Sequence, residues 1–302
     1  MIIIFIFLLV IFASYLSYLK AFYSSPKRKE NIYNIPDTPE YSYAKPVMIR
    51  LIDEFEKVPF ERVSITSFDG LTLYGRYYHV SDSAPLQIQF HGYRGTASRD
   101  FCGINKLGRN LGHNTLVVDQ RAHGKSEGKT ICFGIKEKYD CLYWVNYAIK
   151  RFGDIPIVLS GVSMGAATVV MASELDLPKN VHCIVADCPF SSPEEIIASE
   201  CKKNGIPPII GMPLIKLGAL LFGNLKLSGS AAEAVKKSKI PVLIFHGEED
   251  GFVPCYMGQK IKDSNPNLVT LETFPDADHG LSYIKDPKRY EAVTKEFFEK
   301  YI

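Results

Sequence analysis

A serine hydroxyl becomes a useful nucleophile only when a base takes its proton and a carboxylate holds that base in the right tautomer. Three short stretches of this chain carry the residue types for such a relay. The first is GVSMG, Gly161 to Gly165, between the apolar run IPIVLS and the helix-forming AATVVMASEL. In a strand-turn-helix setting the turn forces Ser163 into a strained backbone, the glycines let neighbouring segments close in, and the hydroxyl rises above the sheet edge. The second is DADHG. Its His279 follows the last apolar run and is the best-placed base among seven histidines. His182 falls inside a strand-like run, His91 and His246 precede glycines at run ends where they shape turns, and His123 in DQRAHGKSEG is a weaker competitor. The third is HGEEDGFVP, which offers Glu248, Glu249 and Asp250 as the acid. A tetrahedral intermediate also needs preorganised donors for its oxyanion. HGYRG at 91–95 supplies the amide of Tyr93, to pair with the amide of Met164 after the serine. The acid-rich loop also invites a metal reading, but HExxH and paired histidine ligands are absent from the sequence, and no cofactor or metal is required.

Such residues need strand ends to hold them. Val63 to Val80 alternates around Asp69-Gly70 as a hairpin does. Apolar runs then follow at 86–90, 115–119, 155–160, 181–187, 240–245 and 268–274. Helix candidates lie between them near 100–110, 136–151, 166–174, 256–263 and 287–301. Continuous apolar strands alternating with amphipathic helices predict an α/β fold: a mostly parallel central sheet with helices on both faces and function at the C-terminal strand ends. About fifty residues between Asp187 and Ile240 break the rhythm. Gly211, Pro213, Lys216 and Gly218 interrupt their apolar stretch, so an inserted helical cap over about 191–238 fits better than a second membrane span.

Residues 1–19, MIIIFIFLLVIFASYLSYL, carry no charged side chain and are long enough to cross a bilayer core. They lack the basic start and small-residue cleavage site of a signal peptide, so an uncleaved transmembrane anchor is expected. Lys20, Lys27, Arg28 and Lys29 follow the span, which predicts a cytoplasmic catalytic domain. Residues 20–60, with five prolines, read as a linker holding one short amphipathic helix near 47–55; the globular domain is expected over 61–302. Thirty-five basic and 33 acidic residues nearly balance at +2, without the footprint of a nucleic-acid binder. Seven cysteines without a CxxC pair read as reduced thiols, with Cys183 and Cys188 as buried small hydrophobes.

Taken in order, HGYRG, DQRAHGKSEG, GVSMG, HGEEDGFVP and DADHG resemble the α/β-hydrolase family over roughly residues 58–302, and more narrowly its membrane-anchored Bem46-like or ABHD13-like and serine-aminopeptidase-like members. Ala122 stands where that family commonly has glycine, and the acid loop carries two extra acids. The resemblance implies the order nucleophile, acid, histidine: Ser163, then Asp250, which precedes a residue pair and the Val-Pro opening the next helix, then His279. Asp119 becomes a turn residue and Asp187 the runner-up acid. It also implies acyl transfer to water through an acyl-enzyme, with a small-molecule or lipid acyl substrate. A peptidase acting on amides shares these motifs, and a non-catalytic scaffold would be expected to have lost a member of the relay.

Overall fold

The apolar runs become the strands of one eight-stranded sheet in the computed structural model, which describes residues 1–25 and 31–302. Lys27, Arg28 and Lys29, on which part of the sidedness expectation rests, lie outside the described residues. The strands are β1 Glu61–Thr66, β2 Thr72–Tyr78, β3 Leu86–Phe90, β4 Asn114–Val118, β5 Ile157–Val162, β6 Val181–Asp187, β7 Val242–Gly247 and β8 Val269–Phe274. Their order is β1-β2-β4-β3-β5-β6-β7-β8. The hairpin partner β2 pairs antiparallel with β1 and β4, and every later pairing is parallel. Strands β3, β4, β5 and β7 are buried along their whole length, as continuous apolar runs covered on both faces must be. The edge strands β1 and β8 instead mix buried with exposed positions.

The helices are α1 Ile2–Ala21, α2 Lys45–Glu56, α3 Ala97–Asn110, α4 Glu137–Phe152, α5 Met164–Ala172, α6 Pro193–Lys203, α7 Pro208–Gly223, α8 Ala231–Lys237, α9 Tyr256–Ser264, α10 Ser282–Lys285 and α11 Pro287–Tyr301. They divide the apolar interior in two. One core gathers α4, α5, α8 and α9 around Trp144, Val169 and Met257; the other gathers α2, α3 and α11 around Ile52, Phe101 and Phe298. Helices α6 to α8 fall inside the interval expected to form the cap.

The N-terminal third departs from the sequence reading. Helix α1 runs to Ala21, is long and apolar enough to cross a membrane, and is mostly exposed. Its inner end is not free, however: Ser14 and Tyr18 are buried, and the Tyr18 hydroxyl lies 2.9 Å from Thr130 Oγ1. Residues 20–60 do not behave as a linker throughout. Met48, Leu51, Ile52 and Phe55 sit at i, i+3, i+4 and i+7, so α2 presents one apolar stripe and buries it against α3. Ile35 and Ala44 join the same core. Arg76 and Lys106 pair with Glu56 and Glu54 at 2.6 and 2.9 Å and fix the outer face of α2. The stretch from Ile35 to Phe55 therefore packs into the core beside the domain expected over 61–302.

Candidate active site

Ser163 follows the last residue of β5 and caps α5 with φ +55° and ψ −116°, a conformation an L-residue holds only at a cost of about 1–3 kcal/mol. Its flanking glycines make room for the turn. A Cβ on Gly165 would lie 1.8 Å from the Phe90 carbonyl oxygen, and one on Gly161 2.3 Å from the Gly165 carbonyl group. The Ser163 amide donates to Asp187 O at 2.8 Å, which ties the turn to the end of β6.

His279 arrives from the loop after β8. Its Nε2 lies 2.9 Å from Ser163 Oγ and its Nδ1 2.8 Å from Asp250 Oδ2. An ionised carboxylate only accepts, so Nδ1–H donates to Asp250 and Nε2 is left to accept from the serine hydroxyl. Asp250 Oδ1 accepts the amides of Phe252 and Val253 at 2.9 and 2.7 Å. Burial alone would push the Asp250 carboxyl up, but the His279 and His246 imidazoles outweigh it and hold the group below the usual carboxylate range. Burial likewise pulls the His279 imidazole down, and the Asp250 charge and hydrogen bond more than offset this, raising it above 6.5. Glu248 and Glu249 are exposed on the same loop.

The amides of Tyr93 and Met164 have no acceptor among the described residues, whereas those of Gly92, Arg94 and Ser163 do. Gly92 N donates to Asp100 Oδ2 at 2.7 Å and Arg94 N to His123 Nε2 at 3.0 Å, so the loop is pinned on both sides of Tyr93. Met164 N belongs to the first turn of α5, where helical amides lack intrahelical partners. Two cavities meet at Ser163. The larger, about 450 Å³, sets Tyr41, Arg99, Asp100 and Asp278 among Met48, Ile104, Val162 and Ile284; the smaller, about 240 Å³, is lined by Ile196 and Ile197 of α6 and Ile215 of α7.

The sequence comparison matches residues 88–205 to the model of the alpha/beta hydrolase fold. That match spans β3 to α6 and holds the HGYRG loop and the serine turn. The match and the sheet order together give this chain the α/β-hydrolase fold. It is similar to the YqkD protein of Bacillus subtilis, 27% identical over 82% of this chain and 83% of that protein. It is also similar to the lysophosphatidylserine lipase ABHD12 of Danio rerio, 27% identical over 60% of this chain and 47% of the lipase. The chain thus spans about half the length of such lipases. The lipases bear the ABHD12 name, so the narrower Bem46-like or ABHD13-like branch stays a resemblance. Among solved structures, the Pyrococcus furiosus esterase Pf2001 superposes with a TM-score of 0.66 at 22% identity, covering 82% of this chain and 92% of the esterase. Est1E of Butyrivibrio proteoclasticus superposes at 0.63 and 22%, covering 79% and 98%. At these identities the likeness shows the α/β-hydrolase fold.

Within that fold the remaining candidates take structural posts. Asp187, the runner-up acid, makes no bond to His279 Nδ1; it accepts at 3.4 Å from Ser282 Oγ. Asp119 accepts Lys125 N at 3.0 Å and packs so closely on Gly124 that a Cβ there would clash at 2.4 Å. Ala122, in the place where glycine is common, adopts φ +62°. His91 accepts Gln120 N through Nε2, and His246 donates through Nε2 to the Val253 carbonyl at 2.8 Å, so both shape turns. Cys188, Asp250 and His279 offer atoms within 4.8 Å of one another. Both ring nitrogens of His279 are already engaged, and burial, then Asp187 and Asp250, pushes the Cys188 thiol well above its usual value, so the group is a poor ligand set.

Sequence reasoning missed three site residues. Asp278 Oδ1 accepts both Gly251 N at 2.9 Å and His279 N at 2.6 Å, joining the acid loop to the histidine loop. Its place beside His279 in DADHG was the available signal. Asp100 and Tyr41 gave none: the first pins Gly92 from α3, and the second donates its hydroxyl to the His279 carbonyl at 2.5 Å from a 3₁₀ turn at Pro39–Tyr41.

Proposed function

We propose that the protein is a membrane-anchored serine hydrolase that cleaves acyl ester or thioester bonds of lipophilic substrates. The observation that carries this reading is the continuous hydrogen-bonded relay from Asp250 through His279 to Ser163, at 2.8 and 2.9 Å, with the serine on a strained turn. In this mechanism Ser163 Oγ attacks the carbonyl carbon as His279 Nε2 takes its proton. Asp250 keeps the imidazole in the Nδ1–H tautomer and stabilises the imidazolium. The amides of Tyr93 and Met164 receive the oxyanion. His279 then protonates the leaving group, and the acyl-Ser163 ester is released by water activated at the same nitrogen. The lysophosphatidylserine lipases among the relatives, and an N-terminal helix fit to cross a membrane, support a lipid substrate. The Lys20 to Lys29 cluster after that helix favours a cytoplasmic catalytic domain. A reporter fused to the C-terminus should stay on the cytoplasmic side, and its translocation would reverse the sidedness.

The test of the nucleophile is fluorophosphonate labelling. Wild type should be labelled and Ser163→Ala should not, with turnover falling on the order of 10⁶ if the serine works as it does in subtilisin. Equal labelling of both would remove Ser163 from the role. Faster cleavage of aminoacyl amides than of acyl esters would move the reaction from ester to peptide chemistry.

A further inference from the structure

Helix α1 would need no contact with the chemistry if it were only a tether. Instead its inner end is built into the site. Ser17, Lys20 and Ala21 form one wall of the cavity of about 240 Å³ under the cap, Ile196 and Ile197 of α6 and Ile215 of α7 line it as well, and Ser163 and Met164 stand at its catalytic end. Three contacts lock the wall. A Cβ on Gly218 of α7 would lie 2.2 Å from the Ser14 carbonyl oxygen, so the two helices meet backbone to backbone at a position only glycine fits. Tyr15 packs edge-on against Phe222 with ring centroids 5.0 Å apart. Carbonyls at and just past the end of α1 are held from the proposed oxyanion loop: Tyr93 Oη donates to Ala21 O at 2.9 Å, and Arg94 Nη2 to Lys20 O at 3.2 Å and to Tyr23 O, beyond the helix, at 2.9 Å. The residue whose amide is free at Ser163 thus holds the membrane helix with its ring.

The surroundings say which ligand chemistry fits. Ile209, Ile210, Leu220 and Leu221 of α7 are 85%, 61%, 55% and 52% exposed beside the equally exposed apolar outer half of α1. This is an apolar surface continuous with a transmembrane helix, which a bilayer would cover. On the other side of Ser163, the cavity of about 450 Å³ is the more polar of the two: Arg99, Asp100, Tyr41 and Asp278 stand in it among apolar residues such as Met48 and Ile104. We propose that α1 is a wall of an acyl-chain site: the hydrocarbon chain of a lipid ester lies between α1 and the cap helices α6 and α7, its carbonyl at Ser163 and its polar leaving group in the larger cavity. This rests on the serine-hydrolase reading above. Each methylene buried there should raise kcat/KM about fourfold until the cavity is full.

The experiment uses the full chain in lipid nanodiscs with 4-nitrophenyl esters from acetyl to dodecanoyl. Ser17→Trp fills the cavity from α1 and Ile215→Trp from α7. In each, the ratio of kcat/KM for dodecanoyl over acetyl ester should fall by about tenfold or more. Wild-type ratios in both variants would overturn the proposal. A second measurement does not depend on the nucleophile: a diazirine-bearing fatty acid should label peptides around Ser17 and Ile215 in Ser163→Ala protein. Excess dodecanoic acid should suppress that labelling, and Ile215→Trp should abolish the suppressible part. Suppressible labelling confined to other segments overturns the acyl site. Ester turnover that survives Ser163→Ala would instead overturn the serine chemistry and leave the labelling result standing on its own.

Discussion

Two carboxylates at neighbouring strand ends share almost the same surroundings and come out differently. Asp187 closes β6 and Asp250 follows β7 by three residues; they are 2% and 6% exposed, and the same two imidazoles, His246 and His279, act on both. Burial is the largest influence on each and pushes each upward. Asp250 nevertheless sits below the usual carboxylate range, while Asp187 is raised to about 6. The donors decide. Asp250 takes the charge of His279 and hydrogen bonds from both His246 and His279, with two backbone amides on its other oxygen; Asp187 feels the two imidazoles by charge alone and accepts at 3.4 Å from Ser282. A buried acid becomes a dependable anion only where hydrogen-bond donors are aimed at it.

The largest break of this contrast is expected in turnover. In Asp250→Asn the amide can donate to Nδ1, which leaves the proton on Nε2, where the serine must be deprotonated. Ester turnover should fall by about 10⁴. Asp187→Asn removes a group that does not touch His279 Nδ1, and its loss should be at least about 100-fold smaller. Steady-state kinetics on a soluble ester compares the two. A crippled Asp187→Asn beside an active Asp250→Asn would exchange their roles.

How much of this was legible beforehand depended on the range of the signal. Ser163 and His279 stood out as candidates because each stands in a short local pattern beside an apolar run, and the runs themselves gave the strands of the central sheet to within a few residues. Within the acid loop, three carboxylates were equivalent by composition; the order of the resembling family separated Asp250, and the structure places it alone of the three in the interior. Tyr41 and Arg94 lay beyond reach. Their partners are carbonyls at residue 279 and at the end of α1, and backbone acceptors leave no trace in a sequence. The apolarity of α1 was equally uninformative about its two halves, since an apolar surface reads the same against lipid and against protein. Only Gly218 carried a hint, and its partner is two hundred residues away.

The same contrast should appear in stability, with opposite signs in opposite windows. Asp187 has a folded-state value above its unfolded one, about 6 against 3.8, so its stabilising contribution is full below about 3.8 and is lost as pH rises through 6. At neutral pH the buried carboxylate then costs up to about 3 kcal/mol relative to acid conditions. Asp250 lies below its unfolded value, so its contribution is present above 3.8 and disappears as pH falls toward the folded value. Denaturation in detergent at pH 4 and pH 7 should show Asp187→Asn gaining on wild type at the higher pH by up to that amount. A constant offset between the two proteins would mean that Asp187 titrates normally.

A smaller shift is expected in the pH profile. His279 must be neutral to accept the serine proton, and its raised value places the acidic limb of kcat/KM above 6.5. Removing the Asp250 charge leaves burial unopposed by its main counterweight, so in Asp250→Asn the residual activity should have its limb at lower pH than wild type. A limb that stays in place would separate the histidine's titration from that carboxylate.

The smallest effect is expected one residue away from the acid. Glu249 precedes Asp250 and carries the same functional group, but its side chain is exposed, and the backbone bond from Glu249 N to Ala277 O at 3.1 Å serves the loop whatever the side chain. Glu249→Gln removes one charge at the surface, where substitutions change stability by about 0.5 kcal/mol or less. Turnover should stay within about twofold of wild type, because a screened charge outside the relay neither fixes the tautomer nor meets the oxyanion. If Glu249→Gln lost activity as Asp250→Asn is expected to, proximity in sequence would outweigh donor geometry, and the distinction drawn between Asp250 and Asp187 would lose its physical basis.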